Sequence, residues 1–95
     1  MYKNRPEGGR NNISGTNIKR LRQNLYHQPS QRQFAEMLQR EGLDLEKNAI
    51  QRIESGSRFI TDVELKILAK VLRVTCDELL KEERDILLEE EDRLL

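Results

Sequence analysis

Three segments of the sequence place a hydroxyl residue three positions before a glutamine or a glutamate. They are "SQRQ" from Ser30, "TDVE" from Thr61 and "TCDE" from Thr75. This spacing forms a capping box, in which two side chains satisfy free main-chain amides at the start of a helix. Each segment is followed by apolar residues at helical spacing, so the chain is constrained to contain several short helices.

The apolar spacing extends this prediction to an all-α domain of five helices. Ile18, Leu21 and Leu25 fall on one face of a first helix, before the first capping box. Aromatic residues make up only 4% of the chain and it has two prolines, which disfavours a sandwich or a barrel. The predicted helices cover residues 16–26, 31–40, 47–55 and 62–72, with a fifth helix that begins at Cys76.

The two ends of the chain differ from this helical region. Residues 1–15, "MYKNRPEGGRNNISG", contain three glycines and no apolar period, which predicts a flexible N-terminal arm. Residues 81–95 keep a helical pattern but are rich in acidic side chains. The predicted organisation is therefore an arm (1–15), a helical domain (16–80) and an acidic helical tail (81–95).

Charge is distributed unevenly along the chain. Residues 1–60 hold 11 basic and 6 acidic residues, whereas residues 61–95 hold 6 basic and 11 acidic ones. The net charge of zero therefore combines a basic N-terminal part with an acidic C-terminal part. The basic half suits a phosphate-bearing partner, and the acidic half faces away from it or meets another protein.

Several functional classes are disfavoured by composition. The single cysteine, Cys76, cannot form an internal disulfide, and His27 is the only histidine. The sequence has no Cys/His metal cluster and no glycine-rich phosphate loop, so we expect no enzyme activity, no metal and no cofactor. It has no apolar run of membrane-spanning length and no signal-peptide pattern, which predicts a cytoplasmic protein with no membrane partner.

The third helix has a mixed character when its residues are placed at about 100° intervals. With Ile50 pointing inward, Ile53 lies about 60° to one side, and Asn48, Gln51 and Arg52 point outward. Such side chains can bond the edges of adenine and guanine. By itself, however, this pattern favours a solvated helix face, which is what most polar helix faces are.

Glu54 lies at the edge of this inward face, and Arg22 lies beside the inward face of the first helix. A carboxylate buried alone is costly, and an arginine on the facing helix can satisfy it with two hydrogen bonds. We therefore predict that Arg22 and Glu54 form a structural ion pair. The alternative is that both side chains are solvated.

Three stretches carry a family resemblance, in this order: "PSQRQFAEML", "NAIQRIESGSR" and "LKILAKVLRVTCDELL". With them the chain resembles the Xre-type, lambda-repressor-like (Cro-type) helix-turn-helix family. The resemblance covers about residues 18–80. It implies a five-helix bundle with a C-terminal helical extension, in which the second helix crosses the DNA backbone and the third enters the major groove. It also implies that Arg22 and Glu54 form a structural ion pair.

By position, the resemblance implies that Lys47, Asn48 and Arg52 read bases, and the helical angle adds Gln51. The DNA-backbone contacts implied in the same way are Gln31, Ser57 and Arg58. The connection "QREGLDLEK" is longer than is usual in the family, which predicts an extended second helix and a looser turn. An Asp, Ser or Thr would cap the third helix better than Glu46, and Asp44 is the alternative cap.

The tail places Leu80, Leu87 and Leu94 seven residues apart, a spacing that favours a dimerisation helix. The alternative is a helix that folds back on the bundle or frays at its end. We expect a sequence-specific, double-stranded-DNA-binding transcriptional regulator, a homodimeric repressor that reads a palindromic operator. The alternative is a protein-interaction module, such as an antitoxin or antirepressor, whose acidic C-terminal helix binds a protein partner.

Overall fold

The computed structural model of the protein describes residues 9–82 together with Asp85, Leu88, Glu90 and Glu91. The described residues form helices and connections with no strand, so the all-α prediction is confirmed for them. None of their helices combines the length and apolar character needed to cross a membrane. The helices are α1 (Gly15–Asn24), α2 (Gln31–Arg40), α3 (Lys47–Ser55), α4 (Asp62–Leu72) and α5 (Cys76–Leu80).

The predicted caps set the starts of three of these helices. Ser30 Oγ accepts from the amide of Gln33 and the Gln33 side chain accepts from the amide of Ser30, a complete capping box. Thr61 and Glu64 form the same arrangement at the start of α4. At α5, Thr75 Oγ1 accepts from the Glu78 amide at 3.1 Å. The bounds predicted for α2, α3 and α4 are confirmed.

The helices pack around a single apolar core. α1 contacts α3, α4 and α5, α2 contacts α3 and α4, and α4 contacts α5. The partly buried Cys76 packs against this core. Because α3 contacts both α1 and α2, one edge of it is buried while the opposite face stays exposed. The fully buried large side chains are Ile18, Phe34, Leu38, Ile50, Ile53, Leu68 and Leu79.

The long connection between α2 and α3 differs from the prediction. α2 ends at Arg40, and Gly42 turns the chain in a left-handed conformation (φ 86°). The additional residues place Leu43 and Leu45 in the core, so they provide buried apolar surface rather than an extended helix. α2 ends at Arg40, as its predicted bounds required, so the separate expectation that the helix extends into this connection is wrong. Glu46, not Asp44, occupies the cap position of α3 without a side-chain capping bond.

The N-terminal segment also differs from the prediction. Residues 1–8 lie outside the described residues, but residues 10–12 hydrogen-bond to the end of α3, and Asn12 and Ser14 are buried. Gly15 begins α1 where a Cβ atom would lie 2.0 Å from the Ile53 carbonyl oxygen. A side chain at this position would separate α1 from α3.

The acidic tail does not continue α5. The helix ends at Leu80, and Lys81 has extended backbone (ψ 130°), so a non-helical break separates α5 from the tail predicted to be helical. Asn17 Nδ2 donates to the carbonyls of Leu79 (2.8 Å) and Lys81 (2.7 Å), which ties the end of α5 to α1. Among the described residues after Glu82, Asp85 has helical backbone. The leucine repeat falls largely outside the described residues, since Leu87 and Leu94 are not among them.

Candidate nucleic-acid interface

The exposed face of α3 carries the four residues expected to read bases. Lys47, Asn48, Gln51 and Arg52 are all exposed, and the last three line one surface depression with Ser55. The opposite edge of α3 is fixed in the core, because Ile50 and Ile53 are fully buried. The helix therefore presents amide and guanidinium groups on a rigid support.

A second depression lies between α2 and the start of α3. It is lined by Arg32, Glu36 and Gln39 of α2 together with Glu46, Lys47 and Asn48. Gln39 Nε2 donates to the Leu45 carbonyl at 3.0 Å, which ties the connection before α3 to α2. Arg32 was not predicted from the sequence as a site residue. It is an exposed cation beside the residues that are predicted to read bases. An exposed position on an amphipathic helix is its only sequence signal.

Arg22 and Glu54 form a bidentate ion pair. Arg22 Nε donates to Glu54 Oε2 at 2.7 Å, and Nη2 donates to Oε1 at 3.0 Å. Both residues are buried, with exposed fractions of 8% and 5%. Arg22 Nη1 also donates to the Pro29 carbonyl at 2.9 Å, so the pair joins α1, α3 and the loop before α2.

Gln31, expected to contact the DNA backbone, belongs to the same network. Its Nε2 donates to Glu54 Oε1 at 3.0 Å, and the side chain is partly buried. A primary amide has two N–H donors, so one remains for a phosphate oxygen. The network holds Gln31 in a fixed position at the first turn of α2.

Arg58, also expected at the DNA backbone, is engaged elsewhere. Its Nη1 and Nη2 donate to the two carboxylate oxygens of Glu64 at 2.9 and 2.8 Å. The hydrogen bond from Arg58 lowers the pKa of Glu64 despite the opposing effect of burial, and hydrogen bonds from Thr61 lower it further. The same contact raises the pKa of Arg58. A phosphate would have to compete with this carboxylate.

Ser57, the remaining backbone candidate, is exposed just after α3. Its Oγ lies 3.4 Å from the Arg52 carbonyl and 3.3 Å from Ser55 Oγ. The hydroxyl therefore closes the last turn of α3 and stays accessible to solvent at the edge of the exposed face.

A group of residues that the sequence did not predict surrounds this end of α3. Arg10, Asn11 and Asn12, here called the N-terminal clasp, donate hydrogen bonds to carbonyls of the last turn of α3 and of the residues that follow it. Their partners are main-chain atoms, which leave no side-chain pattern in the sequence. The only sequence feature that could have indicated these contacts is "RNN", three residues with hydrogen-bond donors just before a predicted helix.

No protein-family model, curated protein or solved structure matches this chain. What the exposed face of α3 can bind is therefore inferred from its own chemistry.

Proposed function

We propose that the protein is a sequence-specific DNA-binding transcriptional regulator with a helix-turn-helix arrangement in which α3 reads bases. The observation that carries this proposal is the exposed face of α3, where Lys47, Asn48, Gln51 and Arg52 stand opposite a fully buried edge. A helix held in this way can enter a groove without exposing its apolar side chains.

The dimensions and chemistry of α3 suit the major groove. An α-helix with its side chains is about 10–12 Å in diameter, and the major groove is about 12 Å wide. An arginine such as Arg52 can donate two hydrogen bonds to guanine. Asn48 and Gln51 can each make a two-point contact with adenine. No cofactor is needed for this kind of recognition.

Charge supports the same partner. The excess of basic residues lies in residues 1–60, which contain α1, α2 and α3, and the excess of acidic residues lies in residues 61–95. Exposed Arg32 and Lys47 line the depression between α2 and α3. Glu36 and Glu46 line the same depression, so attraction to a duplex comes from the basic excess of residues 1–60 as a whole, which favours association.

The resemblance to lambda-repressor-like proteins extends the proposal to a homodimeric repressor. Two copies would place their α3 helices about 34 Å apart, one turn of DNA, and would read a palindromic operator. Sedimentation with and without the duplex tests this part, and a monomer under both conditions would contradict it.

The experiment that tests DNA reading is selection of bound duplexes from a random pool, followed by titration of the selected duplex. We expect a consensus sequence and an affinity that falls steeply with salt. Alanine at Lys47, Asn48, Gln51 or Arg52 should each reduce discrimination at a separate base position, by about 1–3 kcal/mol. Gln31→Ala should weaken binding to all duplexes similarly.

Arg20→Ala provides a matched control, since Arg20 is an exposed arginine on α1. It removes the same charge as Arg52→Ala without changing α3, so it should leave the preferred sequence unchanged. If the α3 variants kept the wild-type preference at every position, α3 would not be the reading helix.

A second candidate function is a protein-interaction module. Leu80 and Leu88 are 40% and 50% exposed beside acidic side chains, which suits an apolar and basic protein surface. Recovery of a defined protein partner, together with no duplex selected from the random pool, would favour this function over DNA reading.

A further inference from the structure

We propose that the N-terminal clasp positions α3, with Arg10 as its main positioning residue, and so determines how accurately the reading face is presented. This inference rests on the proposed function. In this scheme Arg10 need not touch DNA; it acts by fixing the end of the helix that does.

The clasp covers an unbroken row of main-chain acceptors. Arg10 Nη2 and Nη1 donate to the carbonyls of Glu54 (2.9 Å) and Ser55 (3.1 Å). The main-chain amide of Asn11 donates to Gly56 at 2.7 Å, and its side chain donates to Ser57 at 3.0 Å. With the bonds from Asn12, every carbonyl from Ile53 to Arg58 receives a donor from residues 10–12.

The carbonyls of residues 53–55 are among those that a helix leaves without an intrahelical partner, and those of residues 56–58 belong to the turn after α3. The last four carbonyls of an α-helix have no partner within it, and they carry the negative end of the helix dipole. A guanidinium at this position supplies both hydrogen bonds and a compensating charge. Arg10 therefore stabilises the last turn of α3 in a way that a neutral loop would not.

Asn12 connects this end of α3 to the start of α1. Its Nδ2 donates to Ile53 (3.0 Å) and Arg58 (2.8 Å), and its Oδ1 accepts from the Gly15 amide at 2.8 Å. The side chain is buried, so these bonds are shielded from water. The two helix ends are held at a fixed separation by one carboxamide.

Gly56 shows how closely Arg10 lies against the helix end. A Cβ atom on Gly56 would be 2.6 Å from Arg10 Cζ, and the residue has a left-handed backbone (φ 89°). The guanidinium thus occupies the space that any other residue at this position would fill. Arg10 contacts the helix end directly and is not held at a distance by solvent.

The position of Arg52 links the clasp to recognition. Arg52 lies in the last turn of α3, and its carbonyl accepts from the amides of Gly56 (3.0 Å) and Ser57 (2.9 Å). The clasp hydrogen-bonds to residues 53–58, which follow Arg52 directly. Loss of the clasp would therefore loosen the turn that carries the Arg52 side chain. Hydrogen bonds to base edges weaken steeply when their distance or angle is lost.

A direct phosphate contact by Arg10 is the competing explanation, and salt dependence separates the two. Removing one phosphate contact lowers the slope of log affinity against log salt by about 1 and weakens all duplexes similarly. Removing a positioning residue leaves the slope unchanged and reduces the affinity ratio between selected and scrambled duplexes.

The experiment compares wild type, Arg10→Ala, Arg10→Lys and the charge control Arg20→Ala on both duplexes at several salt concentrations. For Arg10→Ala we expect an affinity ratio about tenfold lower with an unchanged slope, a tenfold change being about 1.4 kcal/mol. Arg10→Lys should restore part of the ratio, because an ammonium still donates to these carbonyls. An unchanged ratio, or a slope lower by about 1, would overturn the proposal.

A second measurement needs no DNA. Hydrogen exchange of the free protein should be faster at the amides of Gly56 and Ser57 in Arg10→Ala, and unchanged in Arg20→Ala. Equal exchange in wild type and Arg10→Ala would show that Arg10 does not order this turn, which overturns the proposal independently. If wild type selected no duplex, the proposed DNA reading would fail, while exchange would still decide whether the clasp orders α3.

Asn11→Ala provides a milder variant in case Arg10→Ala does not fold. It removes one side-chain bond to Ser57 and keeps the main-chain bond to Gly56. We expect a smaller decrease in the affinity ratio with the same unchanged slope, and no decrease would count against the clasp.

Discussion

The two ends of α3 are built in opposite ways. At its start, Glu46 makes no side-chain capping bond, and Lys47 and Asn48 are exposed. At its end, the carbonyls from Ile53 to Arg58 are covered by residues 10–12. The start leaves donors accessible, and the end has its acceptors satisfied and a guanidinium placed over them.

This difference suits a helix that meets a polyanion. Free amides at a helix start attract negative charge, whereas free carbonyls at its end repel it. Covering the carbonyls with Arg10 reverses the sign of the charge that a duplex would meet there. The hydrogen bonds that hold α3 in place are therefore concentrated at its end, and substitutions around the helix test this difference between its two ends.

Glu54→Ala should have the largest effect, because the Glu54 carboxylate, within the clasped end, accepts from Arg22 and Gln31. It leaves the Arg22 guanidinium buried without its carboxylate, so we expect a loss of about 3–5 kcal/mol in the free energy of unfolding. Urea denaturation followed by circular dichroism measures this loss. Absence of coupling in a double-mutant cycle with Arg22→Ala would show that the two side chains do not stabilise each other.

Gly56→Ala should destabilise the same end by about 1–3 kcal/mol, since a non-glycine residue at φ 89° is strained. Its Cβ atom would also collide with the Arg10 guanidinium. Thermal unfolding of Gly56→Ala, Arg10→Ala and the double variant separates the two causes. If the two losses were fully additive, the contact between Arg10 and Gly56 would have no energetic consequence.

Glu64→Gln tests the segment that follows the clasped end, where Arg58 pairs with Glu64. Because the folded-state pKa of Glu64 is lowered, its contribution is present above the unfolded pKa of about 4.3 and is lost as the pH falls through the folded-state pKa. We expect the variant to be about 1–2 kcal/mol less stable at pH 7. The difference from wild type should shrink in acid, and a difference that did not change with pH would contradict this.

Glu46→Asp should have the smallest effect and the opposite sign. Aspartate keeps the charge and can accept from an amide in the first turn of α3, so we expect stability to rise by about 0.5–1 kcal/mol. Ser30→Ala, which removes an existing cap from α2, is the matched control and should lower stability by about 1 kcal/mol. No gain for Glu46→Asp would mean that the start of α3 already has its amides satisfied.

Local rules predicted the helices well. Ser30 and Thr61 bond to amides three residues ahead, so the starts of α2 and α4 follow from four-residue patterns. Helical angles placed Glu54 at a buried edge, where it meets Arg22 across a separation of 32 residues. A charged residue at an apolar edge needs a partner, and this requirement made a distant contact predictable.

Contacts to the main chain were not predictable in this way. Arg10 and Asn12 bond to carbonyls that every residue possesses, so nothing in the sequence identifies their partners 41–46 residues away. Arg58 was expected at the DNA backbone because of its position after α3, but the carboxylate of Glu64 lies within reach. The burial of Leu43 and Leu45 was missed because two leucines in a connection have no helical period.

The long separation between the clasp and its partners has a consequence for folding kinetics. Arg10 lies 44 residues from Glu54, so their bond requires closure of a long loop and the prior docking of α1 on α3. We expect such a contact to form after the rate-limiting barrier. We therefore expect Arg10→Ala to accelerate unfolding and to leave the refolding rate nearly unchanged. The clasp would thus govern how long α3 keeps its shape once folded, rather than how fast it acquires it.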